Sequence, residues 1–244
     1  MTSDIQIQNL NFSYANEVTL ENINLSYNKK DFLAIVGPNG GGKTTLIKLI
    51  LNLLQPQSGF IRIFNEQNTK NIQKISYVPQ KTDININLPI KIIDLVLMGR
   101  LGISSKFGFY SKNDKIQALN ALKEVNILHL KDKKVSELSG GELQRALISR
   151  ALCGEAEIMI LDEPTSNVDP TNQIEIYKLL KKLNKDMGII IISHDTNILL
   201  GYANKVAYIN KKLYMHDTID IPQNHKHQDH ICPVELLHIG CDHD

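Results

Sequence analysis

Residues 37–44 read GPNGGGKT, which matches the pattern G-x-x-x-x-G-K-[ST]. The motif follows an apolar run and precedes the helical stretch TTLIKLILNLL, which is the context that it requires. Glycines let backbone N–H groups wrap a phosphate chain, and the following helix adds its positive N-terminal end. Lys43 is expected to contact the β- and γ-phosphates, and the Thr44 hydroxyl to ligate Mg²⁺. The predicted nucleoside triphosphate site consists of Gly37, Pro38, Asn39, Gly40, Gly41, Gly42, Lys43, Thr44 and Thr45.

A pair of carboxylates, Asp162 and Glu163, stands where the apolar run IMIL ends. A carboxylate at the carboxyl end of a parallel strand lies in the crevice where such sheets bind ligands. Asp162 is suited to hold Mg²⁺, and Glu163 to orient and deprotonate an attacking water. A strand that ends in Asp-Glu is common and often structural, but its combination with the phosphate loop favours catalysis.

The stretch LSGGELQRALISRALC, residues 138–153, predicts a capped helix with a second anion site. Ser139 and Glu142 have the spacing of a capping box, and Gly140 and Gly141 expose backbone at the helix N-terminus. One phosphate loop already serves one nucleotide, so the simplest use of this site is to close over the γ-phosphate held by another copy of the chain. The alternative is a helix that is merely well capped. The residues expected on its buried face are Leu143, Ala146, Leu147, Ala151 and Leu152.

The elements that position these residues predict an α/β core. Short apolar runs at residues 32–36, 75–78, 158–161 and 188–193 are typical of strands in a sheet covered on both faces. Helical periodicity lies between them, as at residues 171–186, where Ile176, Leu179, Leu180 and Leu183 share one face. Alternating strands and helices favour a largely parallel sheet. The first 30 residues instead alternate with period two, which predicts antiparallel strands beside the core.

The motifs occur in a characteristic order: the phosphate loop, LSGGE, ILDEPT at residues 160–165, and SHD at residues 193–195. Together they resemble the nucleotide-binding subunit of an ABC transporter, from about residue 5 to residue 213. The resemblance implies a P-loop NTPase core of the ABC ATPase type, with an N-terminal antiparallel β portion and a helical signature subdomain. It also implies a head-to-tail homodimer that holds two ATP molecules, each between one phosphate loop and the partner's signature residues Ser139, Gly140, Gly141 and Glu142.

Four further residues take roles from the resemblance. Tyr14 resembles the aromatic residue that stacks on adenine, although a strand aromatic packed on the core is the alternative. Gln80 resembles the Q-loop glutamine that contacts Mg²⁺ and the attacking water. Asp169 falls at the end of the D-loop, and His194 resembles the switch histidine at the γ-phosphate. The D-loop reads SNVD where SALD is commoner.

The domain organisation favours an importer. The stretch between Gly42 and Ser139 has no room for the long coiled coil of chromosome-maintenance relatives. The chain carries one cassette, and no apolar run approaches the roughly 20 residues that cross a bilayer. Residues 1–215 are expected to form the nucleotide-binding domain, with a helical subdomain at about residues 87–136. That subdomain, with its phrase VLMGR, resembles the metal-uptake cassettes.

We therefore expect an ATPase that drives import of zinc or manganese through a separate membrane permease, fed by an extracytoplasmic metal-binding protein. It would lie at the cytoplasmic face of the membrane. The formal net charge of +1 gives no reason to expect a nucleic-acid partner. Two alternatives stay open, namely import of an iron chelate or vitamin, and a soluble ABC ATPase that acts on nucleic acid or ribosomes.

Residues 216–244 form a tail that holds six of the chain's eight histidines and two of its three cysteines. Imidazole and thiolate are the usual ligands of zinc, and four of them close a tetrahedral site. The alternative is a polar tail that binds no metal specifically. The candidate ligands are His225, His227, His230, Cys232, His238, Cys241 and His243.

Overall fold

The computed structural model describes residues 3–80, 89–103, 109–166, 168–193, 199 and 201–217. Within those ranges the strands are β1 (Ile5–Tyr14), β2 (Glu17–Tyr27), β3 (Phe32–Val36), β4 (Ser58–Ile63), β5 (Glu66–Gln67), β6 (Ile75–Val78), β7 (Ile158–Asp162), β8 (Gly188–Ile192), β9 (Lys205–Asn210) and β10 (Lys212–Asp217). The α-helices are α1 (Lys43–Ile50), α2 (Asn68–Asn71), α3 (Ile92–Leu97), α4 (Lys112–Glu124), α5 (Gly140–Cys153) and α6 (Pro170–Leu183).

The chain divides into two compact units, one from residues 1–73 and 184–244 and the other from residues 74–183. The first unit contains an antiparallel sheet in the order β2-β1-β4-β5. The predicted pairing of the first two strands is confirmed, with Ile5 opposite Tyr27. Their register shifts between Ile7 and Leu10, where Asn9 has a φ of 47°. Asparagine tolerates this left-handed conformation, and such a bulge interrupts the period-two pattern of the sequence.

The second sheet of this unit runs in the order β10-β9-β3-β8. Strand β3 is parallel to both β8 and β9, whereas β10 pairs with β9 as an antiparallel hairpin. Every residue of β3 and of β8 is buried, which explains why both read as unbroken apolar runs. The predicted parallel core is therefore confirmed in this unit. Helix α1 follows β3 and buries Leu46, Ile47, Leu49 and Ile50.

A hydrogen-bonded group lies at the start of β3. The ring of Tyr27 is fully buried, and its hydroxyl donates to the carbonyl oxygen of Asp31 at 3.0 Å. Asp31 also forms an ion pair with Lys205, with 3.2 Å between Asp31 Oδ2 and Lys205 Nζ. Burial, followed by the nearby charge of Asp31, raises the pKa of Tyr27 well above its ordinary value.

The second unit contains the parallel pair β6 and β7 with helices α3 to α6. Helix α5 begins after Ser139, as the capping box predicts. It contacts α3, α4 and α6, so its burial is wider than one stripe and includes Ile148 and Ser149. Ala146, Leu147 and Ala151 are buried as expected, whereas Leu143 and Leu152 are only half-buried. Helix α6 buries the face that its periodicity predicts.

Helix α5 ends next to a buried ion pair in the same unit. Arg100 and Asp114 are 5% and 3% exposed, and Arg100 Nε donates to Asp114 Oδ1 at 2.9 Å. Arg100 Nη1 also donates to the carbonyl oxygen of Cys153, the last residue of α5, and to Glu155. Asp114 in turn caps α4 together with Ser111. One guanidinium thus ties the end of α5 to the start of α4.

The described ranges contain neither a membrane-spanning helix nor a metal-binding cluster. No helix there is both long and apolar enough to cross a membrane. No group of three or more His, Cys, Asp or Glu side chains there is arranged to hold a metal ion.

Candidate nucleotide-binding and hydrolysis site

The phosphate loop of the first unit connects β3 to α1. Gly42 is the residue before the helix and has a φ of 103°, a conformation that glycine adopts without strain. No side chain caps the N-terminus of α1, and its first turn contains no acidic residue. The positive end of the helix is therefore available to an anion.

The loop owes its glycines to close packing against the end of β9. A Cβ atom at Gly37 would lie 2.0 Å from the carbonyl oxygen of Ile209, and one at Gly41 would lie 2.7 Å from the same oxygen. The N–H of Lys211 donates to the carbonyl oxygen of Gly41 at 3.0 Å. The backbone after β9 thus fixes the course of the loop.

Lys43 places its positive charge within this loop. Its side chain is buried, and Nζ donates to the carbonyl oxygens of Gly37 and Pro38, both at 2.8 Å. Thr44 beside it is exposed, so its hydroxyl is accessible to a cation, whereas Thr45 is buried. A glycine loop, an uncapped helix end and a lysine within the loop fit a nucleoside triphosphate with Mg²⁺.

The adenine-stacking candidate lies at the end of β1. The Tyr14 ring is 46% exposed and meets Phe12 edge to face, with 4.9 Å between ring centroids. Phe12 therefore supports the tyrosine, while almost half of the Tyr14 surface stays exposed. This arrangement leaves the ring accessible for stacking.

Asp162 ends β7 in the second unit. It is 4% exposed, and the hydroxyl of Tyr77, on the paired strand β6, donates to Asp162 Oδ2 at 3.3 Å. Burial, followed by the charge of Asp162, raises the pKa of Tyr77 above its ordinary value, so the hydroxyl stays a donor. A buried carboxylate oriented by a neutral donor suits a Mg²⁺ ligand.

Glu163 and Gln80 lie together in the same unit. The amide Nε2 of Gln80 donates to Glu163 Oε2, which brings the second residue after β6 to the residue after β7. Glu163 has a φ of 47°, a conformation that costs a non-glycine residue free energy. Strain of this kind persists where the surroundings impose it and is frequent at active sites. The structure therefore brings together three of the predicted magnesium and catalytic residues, Gln80, Asp162 and Glu163.

The signature residues form the predicted cap of α5. Ser139 Oγ accepts from the N–H of Glu142 at 3.4 Å, and the N–H of Ser139 donates to Glu142 Oε2 at 2.8 Å. The backbone N–H and then the hydroxyl of Ser139 lower the pKa of Glu142. Gly140 is exposed at the helix end, and Gly141 is buried. The exposed N-terminus is compatible with the predicted second anion site.

The segment between Glu163 and α6 is held by the first turn of that helix. Asp169 accepts from the backbone N–H of Asn172 at 3.1 Å and from its side-chain Nδ2 at 2.8 Å. Gln173 Nε2 donates to the carbonyl oxygens of Thr165 at 3.2 Å and Val168 at 3.0 Å. Asp169, the predicted D-loop residue, therefore has a defined orientation at the surface.

Several predicted residues lie outside the described residues. They are the switch histidine His194 and all seven candidate zinc ligands of the tail. Asn167 of the D-loop is also outside. The antiparallel hairpin of β9 and β10 ends at Asp217, so its last two residues belong to the stretch 216–244 that was assigned to the tail.

Sequence reasoning missed three residues that support this site, namely Tyr77, Asn172 and Gln173. Tyr77 is three residues before Gln80, on strand β6, which pairs with β7. A prediction of that pairing is the signal that could have identified it. Asn172 has the spacing of an N3 residue after Asp169, which the capping rule identifies. The contacts of Gln173 depend on the path of the loop, and no local pattern indicates them.

Comparison with protein families agrees with this geometry. A family model described as ABC transporter matches residues 20–166, which include the phosphate loop, the signature and the acidic pair. The chain belongs to the family of ABC transporter ATP-binding proteins. Members of this family bind ATP and Mg²⁺.

Curated relatives of this ABC protein span most of its length. A probable metal transport system ATP-binding protein of Chlamydia trachomatis is 39% identical over 87% of this chain and 91% of its own. The manganese transport system ATP-binding protein MntB of Listeria monocytogenes is 37% identical over 88% and 90%. The zinc uptake system ATP-binding protein ZurA of the same species is 35% identical over 97% and 92%.

Solved structures show the same fold. A metal-chelate type ABC transporter in an inward-facing conformation matches with a TM-score of 0.82 and 33% identity, over 91% of this chain and 86% of that one. A dimeric ATP-binding cassette in a post-hydrolysis state, bound to ADP and phosphate, matches with a TM-score of 0.72 and 25% identity, over 88% and 98%. The predicted fold class, a P-loop core of the ABC ATPase type, is confirmed.

Proposed function

We propose that this ABC protein hydrolyses ATP to drive import of a transition-metal ion, of the zinc or manganese class, through a separate membrane permease. The observation that supports hydrolysis is the contact between Gln80 and Glu163 next to the buried carboxylate of Asp162. The metal is supported by relatives named for manganese and zinc transport. One similar solved structure is described as a metal-chelate type transporter. Import of an iron chelate or vitamin is therefore the alternative that the transport experiment below tests.

Each residue has a distinct role in the proposed reaction. Lys43 and the loop N–H groups bind the phosphates. In the first unit the Thr44 hydroxyl is a proposed Mg²⁺ ligand, and in the second unit Asp162 and Gln80 are proposed Mg²⁺ ligands. When bound, Mg²⁺ neutralises the charge that develops on the β- and γ-phosphate oxygens. Glu163 accepts the proton of the attacking water, and the Gln80 amide keeps that carboxylate in place. His194 is assigned to the γ-phosphate.

The proposed active form is a head-to-tail homodimer. Ser139, Gly140, Gly141 and Glu142 of one copy bind the γ-phosphate of ATP held by the other, and Tyr14 stacks on adenine. The permease receives the ATPase at the cytoplasmic face of the membrane, and an extracytoplasmic metal-binding protein supplies the ion. The exposed N-terminus of α5 supports this use, since free N–H groups at a helix start attract an anion.

The first test is Glu163→Gln, which keeps the side-chain shape and removes the base. Turnover should fall by roughly 10² to 10⁴-fold, while ATP binding survives. The variant should accumulate as an ATP-bound dimer, seen by light scattering after size exclusion. Glu175→Gln is the matched control, because Glu175 is exposed on α6 and forms a surface ion pair with Lys178. Turnover of Glu163→Gln equal to that of the control would refute the assignment.

The second test addresses the transported ion. The ATPase and its permease, reconstituted in vesicles with the binding protein, should take up zinc or manganese only when ATP is present on the ATPase side. A ferric chelate and a corrinoid are the comparison substrates. Uptake of either in place of the divalent ion would select the alternative importer class. Co-purification with RNA or DNA instead of a membrane protein would select the soluble class.

We also propose that the His/Cys-rich tail binds Zn²⁺. The proposal is supported by ligand density in residues 216–244, since four imidazole or thiolate groups complete a tetrahedral zinc site. Truncation after Asp217 is the proper test, because β10 runs to that residue and stays whole. The truncated chain should keep its basal ATPase activity and lose stoichiometric zinc binding in titration calorimetry. Equal zinc affinity in the two chains, or none in either, would refute this role.

A further inference from the structure

The first turn of α6 contacts both the signature helix and the D-loop segment within the second unit. We propose that Asn172 is a positioning residue for ATP hydrolysis, which couples the N-terminus of α5 to the orientation of Asp169. The inference deepens the proposed function and rests on it. None of the sequence motifs includes Asn172, and its side chain belongs to neither the nucleotide nor the cation ligands described above.

The first observation is the double contact between Asn172 and Asp169. The backbone N–H of Asn172 donates to one carboxylate oxygen at 3.1 Å, and its side-chain amide donates to the other at 2.8 Å. Hydrogen bonds to an ionised carboxylate are stronger than neutral ones. Two further backbone N–H groups, those of Asp169 and Thr171, also lower the pKa of the exposed Asp169, but the Asn172 side chain lowers it most. Loss of the side-chain amide would free one oxygen and allow the carboxylate to rotate.

The second observation is the close approach of α5 to the same asparagine. A Cβ atom at Gly141 would lie 3.3 Å from both Cβ and Cγ of Asn172, and 3.6 Å from its Nδ2. Gly141 does not have a positive φ, so close approach accounts for the glycine there. The backbone of the signature helix therefore packs directly on the group that orients Asp169. An alanine at position 141 would press on the Asn172 side chain, so the two residues are neighbours with no residue between them.

The third observation is that the next residue holds the rest of the segment. Gln173 Nε2 donates to the carbonyl oxygens of Thr165 and Val168. The first turn of α6 thus holds Thr165 and Val168 as well as Asp169. A displacement of this turn would act on all three residues.

These contacts define what Asn172 does in the reaction. When the N-terminus of α5 binds the γ-phosphate of a second copy, the position of Gly141 becomes fixed. Asn172, packed on Gly141, then fixes Asp169 for hydrolysis. Asn172 therefore acts after ATP has bound, so its removal affects kcat rather than the KM for ATP.

The decisive variant is Asn172→Ala, which keeps the backbone bond and removes the amide. We expect kcat to fall about fivefold to tenfold, with a KM for ATP changed by less than about twofold. Thr171→Ala is the matched control in the same helical turn, and its kcat should equal that of the unmodified chain. The midpoint of urea unfolding should be the same for both variants, since alanine is a good helix former.

A double-mutant cycle then tests the route through Asp169. Asn172→Ala should have little further effect in a chain that already carries Asp169→Ala, because the amide has lost its target. If the loss of kcat in the double variant equals the product of the losses in the two single variants, the proposal is overturned. An unchanged kcat or a raised KM in Asn172→Ala alone would also overturn it. An unchanged kcat together with an inactive Glu163→Gln variant would leave the proposed ATPase function intact. Normal turnover of Glu163→Gln would instead refute that function itself.

Discussion

The side-chain amide of Gln80 donates to the carboxylate of Glu163, so the second residue after β6 restrains the residue after β7. Glu163 has a left-handed backbone conformation, and the amide keeps its side chain in one position. The base proposed for hydrolysis thus has a defined orientation. Preorganisation of this kind removes the need to order the group during the reaction.

Replacement of Gln80 by alanine should lower kcat by about 10-fold or more, because a hydrogen bond to a charged group is lost. The phosphate loop is untouched, so the affinity for ATP should stay within about twofold. Steady-state ATPase kinetics measure both quantities. Gln73→Ala is the control, since Gln73 is an exposed glutamine shortly before β6. A variant at Gln80 that matches this control in kcat would contradict the role of the amide.

Lys43→Ala should impair ATP binding, whereas Gln80→Ala should impair hydrolysis of ATP that is already bound. Loss of the buried ammonium, which donates to Gly37 and Pro38, should weaken ATP binding by roughly 10 to 100-fold. Titration with a fluorescent ATP analogue gives the Kd. Lys48→Ala, at an exposed position in the last turn of α1, should bind like the unmodified chain. Equal Kd values for the two variants would argue against a phosphate contact by Lys43.

The buried Tyr27 hydroxyl is expected to lower the stability of the folded chain at alkaline pH. Its pKa is raised by burial in the folded chain, so the unfolded chain loses this proton first as the pH rises above about 10. The folded state then binds more protons than the unfolded state, and the free energy of unfolding falls with increasing pH. Tyr27→Phe should remove up to about 1.4 kcal/mol per pH unit from that slope.

Urea unfolding of the unmodified chain and Tyr27→Phe, between pH 9 and pH 11, compares the two slopes directly. Tyr14→Phe is the control, because Tyr14 is exposed and has no comparable burial. If the free energy of unfolding falls with pH equally steeply in Tyr27→Phe and in the unmodified chain, Tyr27 does not cause the loss of stability.

The buried ion pair of Arg100 and Asp114 should appear as a stability effect. Arg100→Met leaves the Asp114 carboxylate buried without its cation, and the midpoint of thermal unfolding should fall by about 5 °C or more. The double variant Arg100→Met with Asp114→Leu should recover part of this loss, because no charge remains buried. Recovery stays partial since Asp114 also caps α4. Differential scanning calorimetry measures the midpoints, and an additive loss in the double variant would exclude a charge effect.

Local signals in the sequence were sufficient to predict much of the fold and the site. The apolar runs predicted β3, β6, β7 and β8, and the spacing of Ser139 and Glu142 predicted the start of α5. Each of these predictions depends on neighbours within a few residues. The phosphate loop was recognised for the same reason, since its glycines, lysine and flanking elements are contiguous.

Contacts between segments that are distant in the sequence could not be predicted from its local patterns. Strand β4 pairs with β1, and alternation identifies neither partner nor register. The left-handed backbone of Glu163 follows from the contacts around it, because glutamate has no preference for that conformation. The approach of Gly141 to Asn172 likewise requires the packing of α5 on α6. Residues that support an active site therefore need a structure before they can be named.

The contact of the phosphate loop with β9 has a consequence for biosynthesis. Gly37 and Gly41 pack on the carbonyl oxygen of Ile209, and Gly41 accepts from the N–H of Lys211. A ribosome makes the loop well before it adds β9, the strand that shapes it. A nascent chain that lacks β9 thus carries the complete motif without the backbone contacts that fix its course. We expect the loop to reach its final course only after Lys211 has been added.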